Sequence, residues 1–257
     1  MIKLDAAAPL PPLLVVLLLV LVVICALLSV RRQAHAGAAI YLPQAAWLRA
    51  LAYFGLCLIV ANYSGVLATV LNSPLASQAQ LADPWWLALT GACLAVIVIG
   101  YALIWPLGTF NDGRKAHPVL SLLYGVVWGS CQGLLFLSFW AAAQSSGLGV
   151  WWVALISYIL IGAYNGCLHN FYWDKYVSPP HNYSEWNTRK VLLCHTPNLL
   201  ICLPYLALYG NVGIYVLLQG LALAISAFVM RFPAWWDDYA AEAGAERSIA
   251  ELSLIHI

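Results

Sequence analysis

Seven long apolar runs decide what this 257-residue chain can fold into. They cover residues 10–30, 50–71, 85–105, 118–142, 150–173, 190–209 and 212–230. Each comes close to the ~20 residues that a helix needs to cross a bilayer. Membrane strands would be shorter and would alternate apolar with polar positions. These runs are continuous, so helices are expected. A soluble domain carries about 25% charged residues, whereas this chain is 63% hydrophobic and 8% charged. The expected fold is an all-α polytopic helix bundle with about seven transmembrane helices. Residues 1–230 form one membrane domain, and 231–251 form an interfacial, acidic tail. With a net charge of +1, nothing points to nucleic acid.

Both ends need separate treatment. The first run follows Pro9-Leu10-Pro11-Pro12, lacks a basic leader and has no small-residue cleavage site, so it reads as a helix rather than a signal peptide. Residues 252–257 equal a translation of the end of a common transposon-type sequencing adaptor. They are expected to be foreign to the natural chain, and His256 is set aside with them.

Charge orients the bundle. Arg31, Arg32 and Arg49 border the first loop, Arg114 and Lys115 lie in the third, and Lys175, Arg189 and Lys190 in the fifth. Arg231 follows the last run, and the second, fourth and sixth loops contain no lysine or arginine. The positive-inside rule then places the N-terminus outside and the C-terminus in the cytosol. The expected location is a bacterial inner (plasma) membrane, with the lipid bilayer as the surrounding partner. Tryptophan fits the same map: Trp85, Trp86, Trp140, Trp151 and Trp152 at the outer interface, and Trp47, Trp105, Trp173, Trp186, Trp235 and Trp236 at the inner one. Trp128 alone falls in mid-run. All seven cysteines lie inside the runs without a C-x-x-C pair, which suits packing rather than a disulfide framework.

Five of the six histidines, His35, His117, His169, His181 and His195, fall on the basic side. The fifth and sixth runs concentrate them. Tyr158, Gly162, Asn165, His169 and Trp173 share one helical face, and so do Asn187, Val191, His195 and Asn198. At the α-helical rise, His169 lies about 6 Å inside Trp173 and His195 about 8 Å inside Lys190. The two imidazoles are therefore expected at similar depth. Pro197 leaves the Leu193 carbonyl without its helical donor, so a kink is expected beside His195. Gln132, Asn165, Asn198 and Gln219 extend a polar interior towards mid-membrane.

Histidine titrates near neutrality and ligates metals, so His169 and His195 are the candidate catalytic acid/base groups, with Asp174 and Glu185 to orient or ligate. Arg114, Lys115 and His117 are candidates to bind an anionic head, with Asn165, Asn198, Trp173 and Tyr176 lining the substrate site. His169, His181, His195 and Asp174 would suit a transition metal, and two histidines on two helices would suit haem. Plain hydrogen-bonded packing of these side chains is the alternative.

Several chemistries lack their motifs. There are no H-x3-4-H boxes, no H-E-x-x-H and no G-x-S-x-G. Asp112-Gly113-Arg114-Lys115-Ala116 misses the CDP-alcohol phosphotransferase pattern, and 212–230 has no lysine for retinal. The leading expectation is a membrane enzyme acting on a lipidic or isoprenoid substrate at a cytosolic-side polar site. The alternatives are an accessory or assembly subunit bound to a membrane-protein partner, or a small transporter. Gly125, Gly129 and Gly133 at spacing four clear one helix face for close packing, as do Gly162 and Gly166, so the fourth and fifth runs are expected to pack together or against neighbours. For the accessory role these faces and the tryptophan-rich inner rim would be contact surfaces.

Overall fold

The computed structural model describes residues 43–107, 115–167 and 191–231. Everything there that is regular is helical, and no strand occurs among the described residues. The helices are α1 (Pro43–Tyr63), α2 (Val66–Asn72), α3 (Gln78–Leu81), α4 (Pro84–Val98), α5 (Pro118–Gln144), α6 (Val150–Cys167), α7 (Thr196–Tyr209) and α8 (Val212–Val229). A π-helical turn, Ile99–Ile104, continues α4, and a second, Val191–His195, leads into α7. Four spans are long and apolar enough to cross a membrane, or five if α1 and α2 together make one. They mark an integral membrane protein. The expected first helix, 10–30, lies outside the described residues.

The expected single helix over 50–71 is instead two helices that meet at 86°. Its cause is local. Gly65 sits at φ 73, a left-handed conformation that costs a residue with a Cβ but not glycine. At the bend, the Ser64 and Ser138 hydroxyls lie 3.1 Å apart, and Ser64 Oγ also donates to Ala61 O at 3.2 Å. These bonds satisfy polar groups that an interrupted helix would otherwise leave bare in an apolar setting. The connection to α4 is likewise ordered: Ser77 and Gln80 form a capping box on α3, and Asp83 caps α4 by accepting from Trp85 N at 2.9 Å.

α5 and α8 form the centre. In the most apolar stretch of each, 61% of residues are buried, against 22% for the span Pro84–Ile104. The glycine stripe explains the contact. A Cβ on Gly125 would collide with the backbone of Leu223 and Ala224, and one on Gly129 with Gln219 O and, at 2.8 Å, Gly220 Cα. Only glycine lets the two backbones come this close. Gly162, read as a second packing glycine, has nothing within 4 Å of where a Cβ would stand among the described residues. The buried stripe of α6 runs through Val153, Ser157, Ile161, Tyr164 and Asn165.

Of the belt tryptophans, Trp85, Trp151 and Trp152 are exposed, whereas Trp86 and Trp140 are buried at 5% and 3%. Trp86 is drawn in because its Nε1 donates to Asn211 Oδ1 at 2.9 Å. Asn211 also forms a reciprocal amide pair with Gln80, at 3.0 and 3.2 Å, which ties the α7–α8 turn to α3. Trp105 is also buried, with its Nε1 2.9 Å from Met230 Sδ.

Candidate functional site

The two π-turns pack against each other. In the first, Trp105 N–H reaches back five residues to Gly100 O at 2.8 Å. The Cys194 thiol of the second turn donates to that same carbonyl at 3.1 Å. The break expected at Pro197 therefore takes the form of a π-turn that ends at His195, with Pro197 in the first turn of α7, where its missing N–H costs nothing. π-turns are rare and occur often at functional sites, because one extra residue re-aims the side chains around it.

Here they aim Tyr101 and His195 at one another. The Tyr101 hydroxyl lies 2.8 Å from His195 Nδ1, and both residues are buried. Trp105 packs edge-on against the pair, with its ring centroid 5.1 Å from the imidazole. One turn further along α7, Asn198 Nδ2 donates to the Tyr101 oxygen at 3.3 Å and to Gln219 Oε1 of α8 at 3.3 Å. Asn198 Oδ1 accepts from the Cys202 thiol at 3.1 Å. The result is a polar chain running inwards from His195 through three spans. His195 and Asn198 share a buried face, as their spacing requires.

Asn165 and Gln132 make a second amide pair, Gln132 Nε2 to Asn165 Oδ1 at 3.4 Å, between α5 and α6. No hydrogen bond joins it to Asn198, so the four amides expected in one polar interior divide into two pairs. Beside the second pair, Tyr53 and Tyr164 are linked through their hydroxyls at 2.7 Å, and Tyr53 stacks on Trp128 at 4.5 Å. This cluster is hydrogen-bonded packing.

Of the other expected site residues, Lys115 is exposed and His117 half-buried at the start of α5. Arg114, His169, Trp173, Asp174, Tyr176, His181 and Glu185 lie outside the described residues. Among the described residues no three His, Cys, Asp or Glu side chains gather as a metal-binding group. The cysteines at 57, 93, 131, 194 and 202 are buried, in line with packing roles.

Sequence reasoning missed Tyr101. A tyrosine four residues before a tryptophan near the end of an apolar run reads as part of the interfacial belt. Only the π-turn, which the residue types do not announce, swings its hydroxyl onto His195.

No protein family, curated protein or solved structure matches this chain. The functional reading therefore rests on the chemistry of the site.

Proposed function

We propose that this protein is a membrane enzyme that acts on the polar head of a lipidic or isoprenoid substrate at the cytosolic leaflet of a bacterial-type plasma membrane. His195 transfers the proton, with His169 as a second acid/base group. Asp174 and Glu185 orient or ligate, Arg114, Lys115 and His117 hold an anionic head, and Trp173, Tyr176 and Asn198 line the site. The observation that carries the reading is the pair of facing π-turns. Two adjacent spans depart from α-helical register at one level, and the product of both departures is the Tyr101–His195 contact. Helix packing alone needs no such register shift, and intramembrane ionisable residues mark functional sites by default. An apolar tail among the helices and a polar head at the histidine match what this end of the bundle offers.

The accessory-subunit reading loses its main surface. The Gly125–Gly129–Gly133 face is filled by α8, so it is not offered to an outside partner.

The test compares lipid extracts by mass spectrometry from cells lacking the protein, cells with the wild type and cells with His195→Gln at equal membrane abundance. One lipid class should be depleted and a related one should appear with the wild type alone. Identical profiles in all three would sink the enzymatic reading. Elemental analysis and an absorption spectrum of the purified protein decide the ligand chemistry. Stoichiometric metal or a haem band that disappears in His169→Ala and His195→Ala assigns these residues as ligands. A colourless protein that stays metal-free after reconstitution leaves them as proton-transfer groups.

A further inference from the structure

The hydrogen-bond chain behind His195 can be counted proton by proton, and the count selects one form of the imidazole. Tyr101 has two hydrogen-bond partners among the described residues, His195 Nδ1 at 2.8 Å and Asn198 Nδ2 at 3.3 Å. A phenol has one hydrogen to donate and oxygen lone pairs that accept. Asn198 Nδ2 is a donor, so towards Asn198 the Tyr101 oxygen accepts. Its single hydrogen then has one acceptor, His195 Nδ1. That nitrogen must carry a lone pair, which leaves the proton of the neutral ring on Nε2.

The Cys202 end of the chain supports this direction, and Gln219 Nε2 is then left buried without a hydrogen-bond partner among the described residues. Asn198 uses both amide hydrogens, on Tyr101 and on Gln219 Oε1, while its own oxygen takes the Cys202 thiol. Thiols are weak donors and weaker acceptors, so the carbonyl side of Asn198 belongs towards Cys202. Gln219 is held within the close α5–α8 contact, its backbone against Gly129 and its Cβ 3.3 Å from where a Cβ on Gly133 would stand. An imidazolium, or a ring protonated on Nδ1, would direct two donors at the Tyr101 oxygen. The phenolic hydrogen would then have no acceptor in a fully buried place.

We infer that Gln219, Asn198 and Tyr101 are positioning residues that fix His195 as the Nε2–H tautomer. Its Nε2 is then a hydrogen-bond donor, suited to a carbonyl, ester or phosphoryl oxygen and unsuited to direct metal ligation. On the enzymatic reading this makes His195 a proton donor to the substrate head rather than a base. The tautomer itself does not depend on that reading.

Nitrogen-15 NMR of histidine-labelled protein in lipid tests it, with His195→Gln identifying the resonance. The wild type should show His195 with an unprotonated Nδ1 and a protonated Nε2 at neutral pH. In Tyr101→Phe the ring should become a mixture of tautomers, because the donor to Nδ1 is gone. If His195→Gln does not fold, the signal that changes in Tyr101→Phe provides the identification. Turning both amides round reverses every bond in the chain and puts the proton on Nδ1. A wild-type Nδ1–H or doubly protonated ring therefore overturns the assignment. An Nε2–H ring that is unchanged in Tyr101→Phe overturns the role of Tyr101. No substrate enters the measurement, so a protein with the Nε2–H ring and no effect on lipids would sink the enzymatic reading alone.

Discussion

Asn198 makes three hydrogen bonds and exposes almost nothing, so the energetics of the site can be tested through it. In membrane bundles an interhelical hydrogen bond contributes about 0.6 kcal/mol on average and at most about 1.7 kcal/mol. Asn198→Leu removes the bonds and leaves Gln219 Oε1 without its donor. Gln219→Leu removes the other partner. An unpaired buried polar group costs more than an absent pair. The double variant should therefore be less destabilised than the sum of the two single ones, by roughly 0.6–1.7 kcal/mol in thermal or detergent unfolding. Strict additivity would mean that the two amides do not interact. Burial of Asn198 on the His195 face was readable from their spacing of three. Its partner Gln219 was not, because periodicity gives the face of one helix and not the helix opposite.

At the scale of elements, the glycine stripe makes the same point. Its spacing of four marked one cleared face of α5, yet the sequence suggested packing with the fifth run as readily as with any other. The structure gives the face to α8. Gly162, which follows the same small-residue pattern, has nothing within 4 Å of where its Cβ would be. The two glycines predict opposite outcomes. Gly129→Ala forces a methyl group into the α8 backbone and should destabilise the bundle by about 1–3 kcal/mol, the usual cost of overpacking. Gly162→Ala should be neutral or stabilising, since alanine is favoured over glycine in a helix by roughly 1 kcal/mol. Thermal melting of the two variants in one detergent measures the contrast, and equal melting temperatures would refute the close α5–α8 contact. The π-turns were legible only in part. Pro197 announced a break before α7, because proline cannot donate to the Leu193 carbonyl. Ile99–Ile104 carries a weaker signal, Gly100, which an α-helix disfavours by about 1 kcal/mol but which marks close packing as readily as a change of register.

For the whole molecule, the described helices alternate in direction, and the site lies at the end shared by the first π-turn and the start of α7. Sidedness is the remaining premise of the functional proposal, and it rests on charge. Lys115 precedes α5 at one end, whereas Gln78 before α4 and Ser145 after α5 lie at the other. All three are exposed, and the cysteines at 57, 93, 131, 194 and 202 are buried, so single introduced thiols can report on sidedness against the unmodified chain as control. Lys115→Cys should react with a membrane-impermeant maleimide only in inside-out vesicles. Gln78→Cys and Ser145→Cys should react only in right-side-out ones. If Lys115→Cys and Ser145→Cys react from one side, α5 does not cross the bilayer, and the seven-span arrangement fails. If they react from opposite sides but in the reverse sense, the bundle stands while its orientation inverts. His195 would then face the outer leaflet. A cytosolic lipid substrate would be ruled out even with the tautomer of His195 intact, because the proton-count argument concerns the interior of the bundle and the leaflet concerns only how the bundle was inserted.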